Sequence, residues 1–474
     1  MSIRDTLTSA EDLEAIHSTA LRMLAELGIQ LNHTQMREQL TARGCRIEGD
    51  RVYIPPEVVQ ATLDRLPDSF ALFGRSTDCR QVIDLEHTIF VNTGIVPNIY
   101  DFETNEIRRS TLQDVETTTR VMDALDGLPL VYVSLVDATD MAPHMVTVCD
   151  FAAVLRNTTK PLLGPGVTNG AEAETIVGMA RAVRGGNAEM LREYPLCSPF
   201  ICPITPLRFP NDLIDALVVI AEAGLPLDVV TNPVMGLTSP YTVAASVALG
   251  HAEVLASAVM ADTIMPGLPV LNSNTPSVAD MRTLASTTGG PETGLIRRTV
   301  VELSHHLGIP NCAHGHTSSA TLDFQAGDEK GINSLLIASA RPSILGGMGA
   351  IANVTLACHE AIMVDNERYG AILRILNGVD VDEDHLGFEV VADTINTGDI
   401  LTHPHTARYL RSAEVFDAHL ADRRGLASGT PESGTSVNRA RAEAKRLMET
   451  HYVEPLAASI QAEIDEVMDR YATR

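Results

Sequence analysis

From residue 86 onward the sequence keeps one rhythm: a short apolar run, a turn, then a longer stretch with helical spacing of apolar residues. HTIFVN (87–92) leads to TLQDVETTTRVMDAL (111–125), PLVYVSLVD (129–137) to a helix near 143–156, and KPLLGPGV (160–167) to one near 170–184. YPLCSPFIC (194–202) precedes NDLIDALVVIAEAG (211–224), LPLDVVTN (225–232) precedes the Ala-rich 241–260, and LPVLNSN (268–274) precedes ETGLIRRTVVELSHHLG (292–308). IPNCAHG (309–315) and PSILGGMG (342–349) are followed by helical patterns over 323–340 and 359–376. Strand–helix alternation predicts an α/β fold with a parallel sheet and right-handed crossovers. Eight units are the number that closes a (β/α)8 TIM barrel, with an open doubly wound sheet as the alternative.

The flanks differ in character. Residues 1–85 read as an N-terminal α+β cap, with a helix over 8–27 and VYIPPEVVQATLDRLP (52–67) as a strand and a proline-started helix. Residues 86–378 form the predicted barrel and catalytic domain. Residues 379–474 form a C-terminal helical extension, with GLASGTPESGTS (425–436) as a linker and an amphipathic last segment that suggests a homo-oligomer.

Composition narrows function. Hydrophobic residues make up 45% of the chain and aromatics 4%, with no Trp, so branched aliphatics must fill the core. A net charge of −26 argues against nucleic acid and anionic membrane surfaces as partners. Seven Cys without a CxxC pair fit free thiols in a reducing compartment. The first residues lack an apolar signal core, and no uncharged apolar run is long enough to span a bilayer. A cytoplasmic protein is expected.

Barrel active sites lie at the C-terminal ends of the strands. Those ends offer Asn92, Gly164, Gly166, Asn232, Asn272, His314, His316, Gly347 and Gly349, then His359 at the last helix start. Cys312, His314 and His316 alternate on one strand, so they share a face and make a conceivable zinc set. They are spread by roughly 7 Å per step, so another ligand must come from elsewhere, Cys202 or His359 being possible donors. Gly347-x-Gly349-x-x-Ala352 matches a dinucleotide fingerprint, but it follows the last strand of the series and opens no clear helix. Tyr100 and Phe102 are either packing or part of a wall facing a cation. Gln325 and Glu329 near the start of a helix either face solvent or point back into the mouth.

DFQAGDEKGINSLLIASA, NTGIVPNIYDFETNEIRRSTLQDV and VDNERYG together carry a resemblance, in order and extent along most of the chain. The chain resembles the trimethylamine methyltransferase family, in the branch without pyrrolysine whose best-known function is glycine betaine:corrinoid methyltransferase. Asp328 stands where members commonly have Tyr in a Q-A-G-Y-E-K run. The resemblance implies a (β/α)8 barrel that moves a methyl group from a quaternary amine to Co(I) of a corrinoid (cobalamin) on a separate corrinoid-binding protein. An internal cobalamin module would show Asp-x-His-x-x-Gly. Asp417-Ala-His419 is followed by Asp422 where Gly should stand, and around His385 the required Asp and Gly are Glu383 and Phe388.

Under this resemblance His359, Gln325 and Glu329 are the expected catalytic residues. Asn92, Tyr100, Phe102, Asn232, His314, His316, Gly347 and Gly349 are expected to contact substrate. Gly164, Gly166 and Asn272 are expected to face the corrinoid, and no bound metal is expected. Glycine betaine is the first substrate expectation, with its carboxylate held by His359, helped by His314 and the Gly347–Gly349 backbone. Proline betaine, carnitine or a trimethylamine-like substrate, a zinc-assisted barrel enzyme, and a non-catalytic barrel that binds quaternary amines are the alternatives.

Overall fold

The computed structural model describes residues 7–423 and 434–473; the linker expected at 425–436 falls mostly outside them. Eight parallel strands alternate with eight helices. The strands are β1 (Ile89–Asn92), β2 (Val131–Tyr132), β3 (Leu162–Gly166), β4 (Cys197–Ile201), β5 (Leu227–Thr231), β6 (Val270–Asn274), β7 (Cys312–His314) and β8 (Ile344–Met348). The helices that follow them are α1 (Leu112–Asp123), α2 (Val146–Asn157), α3 (Gly170–Val183), α4 (Asn211–Ala223), α5 (Val243–Ile264), α6 (Pro291–Leu307), α7 (Phe324–Ala338) and α8 (His359–Leu376). Local chemistry sets their ends. Thr111 and Asp114 make a reciprocal capping box at α1, Asn169 caps α3, and Pro291 opens α6. Gly224 and Gly308 close α4 and α6 in the left-handed conformation.

The strands run β2-β3-β4-β5-β6 in one ladder and β7-β8-β1 in another. Two seams close the ring. Between β6 and β7, Asn272 N–H donates to the Pro310 carbonyl at 2.9 Å and Asn272 bridges Asn311. Between β1 and β2, a side chain replaces the missing rung. Asn92 donates through Nδ2 to the Tyr132 carbonyl and accepts from Tyr132 N–H at Oδ1, both at 2.8 Å. The sheet is therefore a closed barrel, and the open-sheet alternative falls.

Inside the ring, Ile89, Val91, Leu130, Leu163, Leu271 and Ile344 form one apolar cluster with Phe70, Leu72 and Ile83. The last three belong to a hairpin, Phe70–Phe73 with Arg80–Ile83, that packs against the strand starts and plugs the barrel there. Each such side chain contributes about 1.5–3 kcal/mol by leaving water. The cap's first helix, Ala10–Arg22, lies on α5, where His17 Nδ1 meets His251 Nε2 at 3.0 Å. α5 is long and apolar enough to cross a membrane, but 83% of its most apolar window is buried in the fold.

The extension's helix Ser436–Thr450 packs on α8 and α1, and Ala458–Ala472 packs on α3. Ile464, Val467 and Tyr471 are buried there, so the apolar face of the last helix is used within the chain and carries no argument for self-association. Asp417 to His419 sit beside α8, where Glu367 accepts the His419 and Leu420 N–H groups. At the barrel mouth the hairpin Asn98–Tyr100/Ile107–Arg109 joins the hairpin Ala350–Ile351/Leu356–Ala357 in one small sheet.

Candidate functional site

Past the strand ends the interior opens into a cavity of about 350 Å³. Three rings define its wall: Tyr132 at the end of β2, Phe200 on β4 and His314 on β7. Tyr132 and Phe200 stand 6.0 Å apart between centroids, and His314 meets Tyr132 edge to face at 5.9 Å. A glycine makes room for each ring. A Cβ on Gly94 would lie 2.4 Å from the Tyr132 ring, one on Gly166 2.3 Å from Phe200, and one on Gly346 2.3 Å from His314. Between the rings the wall mixes neutral polar side chains, among them Thr93, Asn232, Thr275, Ser277, Thr288 and Asn353, with apolar Ile95, Val230, Val234 and Val354. Asn353 accepts Thr288 N–H at 3.0 Å and lies in a run, Ala352-Asn353-Val354, with φ of 53°, 54° and 64°. A left-handed β-branched Val is costly, so the neighbouring structure must hold this loop over the cavity.

One full charge enters the wall. Arg297, 3% exposed, reaches in from α6. Its Nη1 donates to the His314 carbonyl and to His316 Nδ1 at 3.2 Å. A donor at Nδ1 fixes the His316 tautomer, so His316 Nε2–H donates to Thr93 Oγ1 at 2.8 Å. Burial and the neighbouring guanidinium push His316 well below its ordinary pKa, and burial pushes His314 down to about 3. Both imidazoles are neutral at physiological pH. Burial also lowers Arg297, to about 10, which leaves it charged.

A buried carboxyl stands close to the rings, in register with Phe200. Asp228 of β5 is wholly buried, with the Ser273 hydroxyl beside it and no cation paired to it among the described residues. Burial pushes it up to about 7. His314 Nδ1 is buried without a partner.

The sequence expectations divide against this geometry. Asn232, His314 and His316 line the cavity. Asn92 and Asn272 instead serve the barrel seams, Asn272 also donating to Ser304 Oγ at 2.9 Å. Gly166 acts by accommodating Phe200, and Gly164 adopts φ of +89° before a cis proline. Gly347 gives its carbonyl to Lys330 at 3.0 Å, and Gly349 gives its N–H to Asp365 at 3.0 Å. The glycine-rich stretch enters a hairpin, not a helix, so the dinucleotide pattern has no helix terminus to serve it.

Tyr100 donates to the Ala320 carbonyl, and Phe102 lies under Arg441 of the extension, so the cation it faces is the chain's own. His359 is buried edge-on to Phe102 with both ring nitrogens unpartnered, outside the cavity wall. Gln325 is bonded to Glu329, whose carboxylate holds Thr317 and Ser318.

The zinc set does not assemble. Cys312 Sγ and His314 Nε2 are 3.4 Å apart, but both His316 nitrogens are committed and a guanidinium stands beside them. Tyr132, Phe200, Thr93 and Arg297 escaped the sequence reading. Strand parity would have pointed Tyr132 and Phe200 inward, whereas Arg297 lies in mid-helix and carries no spacing signal.

A closed eight-stranded barrel, plugged at one end and opening at the other into a polar cavity with aromatic walls, defines a TIM-barrel protein with its site at the strand ends. The profile of the family described as Trimethylamine methyltransferase (MTTB) matches residues 3–474, and the chain belongs to that family. It is 29% identical over 473 residues to the trimethylamine methyltransferase MttB of Desulfitobacterium hafniense (strain DSM 10664 / DCB-2), covering 98% of this chain and 94% of the relative. It is 27% identical over 469 residues to the glycine betaine methyltransferase of Desulfitobacterium hafniense (strain Y51), covering 98% and 96%. The crystal structure of the Methanosarcina barkeri monomethylamine methyltransferase (MtmB) shares the fold, with a TM-score of 0.54 at 12% identity over 95% of this chain and 97% of that one. The chain is a methyltransferase of the methylamine and betaine type.

Proposed function

We propose that the protein transfers a methyl group from a quaternary amine, glycine betaine first, to the Co(I) centre of a corrinoid held by a separate protein. The observation that carries this is the cavity: small, ringed by Tyr132, Phe200 and His314, and without a carboxylate among its lining residues. A quaternary ammonium leaves as a neutral tertiary amine. The C–N electron pair stays on nitrogen, so the leaving group needs no proton, and neutral His314 and His316 suit a reaction without one. Aromatic faces hold the cation less tightly than carboxylates would. Charge on nitrogen disperses as the methyl departs, so gentle binding avoids stabilising the ground state more than the transition state.

A volume of about 350 Å³ is too small for a corrin macrocycle, so the ring must lie across the mouth. The mouth loops fit that. Ile95, Ile204, Leu237, Tyr241, Met281 and Leu284 are exposed on segments that follow β1, β4, β5 and β6. When bound there, Co(I) supplies the electron pair that takes the methyl group. The protein's residues hold the ammonium in line, keep the rings fixed and exclude water. A cytoplasmic setting, with seven free thiols, agrees with such reducing chemistry.

The test is a panel of glycine betaine, carnitine, proline betaine and trimethylamine with purified protein and reduced cobalamin. Consumption of Co(I) with glycine betaine and release of dimethylglycine are expected. Activity confined to trimethylamine would overturn the substrate assignment.

A further inference from the structure

We infer that Arg297 is the carboxylate anchor of this site, so that the substrate is a quaternary amine bearing a carboxylate near its ammonium. The inference rests on the methyl-transfer reading and adds what the site recognises. Four long cations are buried in the described residues, and three are fully answered. Arg298, next in sequence, pairs with Glu302 at 2.9 Å. Lys330 pairs with Asp365 at 2.6 Å. Arg184 spreads its donors over the carbonyls of Tyr194, Arg75, Phe73 and Gly74.

Arg297 departs from that pattern. Among the described residues no carboxylate lies within ion-pair distance of it, its bonds to protein leave from Nη1 alone, and its Nε–H is buried without a partner. A buried guanidinium with no counter-charge is costly to keep, and it opens onto the cavity at the strand ends. Its plane is fixed by the His314 carbonyl and by His316, itself held by Thr93. The unused donors, Nε–H and those on Nη2, form the edge of the fork that grips a carboxylate through two parallel bonds.

The same cavity is walled by Tyr132 and Phe200 with no carboxylate among its lining residues, a surface suited to a methylated ammonium. One pole for an anion and an aromatic wall for a cation match a zwitterion. With the carboxylate held in the wall by Arg297, orientation comes from the part of the substrate that does not react, and the trimethylammonium is left to face the mouth.

The experiment is calorimetric binding to the full-length protein of glycine betaine and of choline, which has a hydroxyl in place of the carboxylate. Wild type is expected to bind glycine betaine at least about 10-fold tighter than choline. Arg297→Met is expected to weaken glycine betaine by about 10- to 100-fold, the worth of a charge-assisted pair. Choline should change by less than about 2-fold, and Arg297→Lys should recover only part of the loss, since it keeps the charge and not the fork. A folded Arg297→Met protein that binds glycine betaine like wild type overturns the inference, and so does a wild type that binds choline equally well. Should Arg297→Met fail to fold, the wild-type preference decides alone. Failure of the methyl-transfer reading looks different: glycine betaine binds through Arg297, yet no dimethylglycine forms with reduced cobalamin.

Discussion

Three side chains and three glycines shape the cavity together. Gly94, Gly166 and Gly346 are the spaces into which Tyr132, Phe200 and His314 fit, so these positions shape the cavity through a neighbour. Gly166→Ala should push Phe200 off its place, cost about 1–3 kcal/mol in a denaturant melt, and weaken glycine betaine binding more than the melt alone explains. Asp228 makes a separate prediction. Its folded pKa of about 7 lies above its unfolded value of 3.8, so the folded state holds the proton more tightly. The stability this group contributes is present below about pH 4 and lost as pH rises through 7. Relative to wild type, Asp228→Asn should therefore gain up to about 4 kcal/mol between pH 4 and pH 8 in urea melts. A difference that stays flat would show that Asp228 keeps an ionised, solvated carboxylate.

Among elements, the alternation of apolar runs with helical patterns was legible because each run is buried on both sides, by the plugged interior and by the helices. All eight units appear within a few residues of their expected limits. Strand-end residues could be located but not assigned. Asn92 and His314 both end a strand, yet one closes a seam by copying a backbone amide and the other lines the cavity. Nothing in the sequence separates those uses, because the difference depends on which neighbour lacks a ladder partner. His359 lies apart from the cavity wall for a related reason: Phe102 and, from the extension, Arg441 cover the start of α8. Between the cap helix and α5, burial pushes His251 down to about 3 and also lowers His17. A base with a depressed folded pKa contributes stability that is full above 6.5 and lost as pH falls toward 3. Hydrogen exchange should show amides of residues 10–22 losing protection across that window earlier than those of the barrel strands. Simultaneous loss would contradict the assignment of this acid sensitivity to the His17–His251 contact.

At the scale of the whole molecule, the two ends of the barrel have opposite roles. One is sealed by the Phe70–Ile83 hairpin, and the other carries a small cavity below a rim of exposed apolar residues. Under the proposed function, the cavity would bind substrate and the rim would receive the macrocycle. Leu284→Glu should therefore raise the concentration of corrinoid protein needed for half-maximal rate by about 10-fold or more, and leave glycine betaine binding by calorimetry unchanged. Equal loss in both measurements would mean that the rim shapes the cavity. The central claim is the origin of the methyl group. It is tested most directly by giving purified protein glycine betaine with isotopically labelled N-methyl groups and reduced cobalamin in a single turnover. The account predicts one labelled methyl on cobalamin for each dimethylglycine released; label retained entirely in glycine betaine, with Co(I) methylated only from trimethylamine, would contradict it.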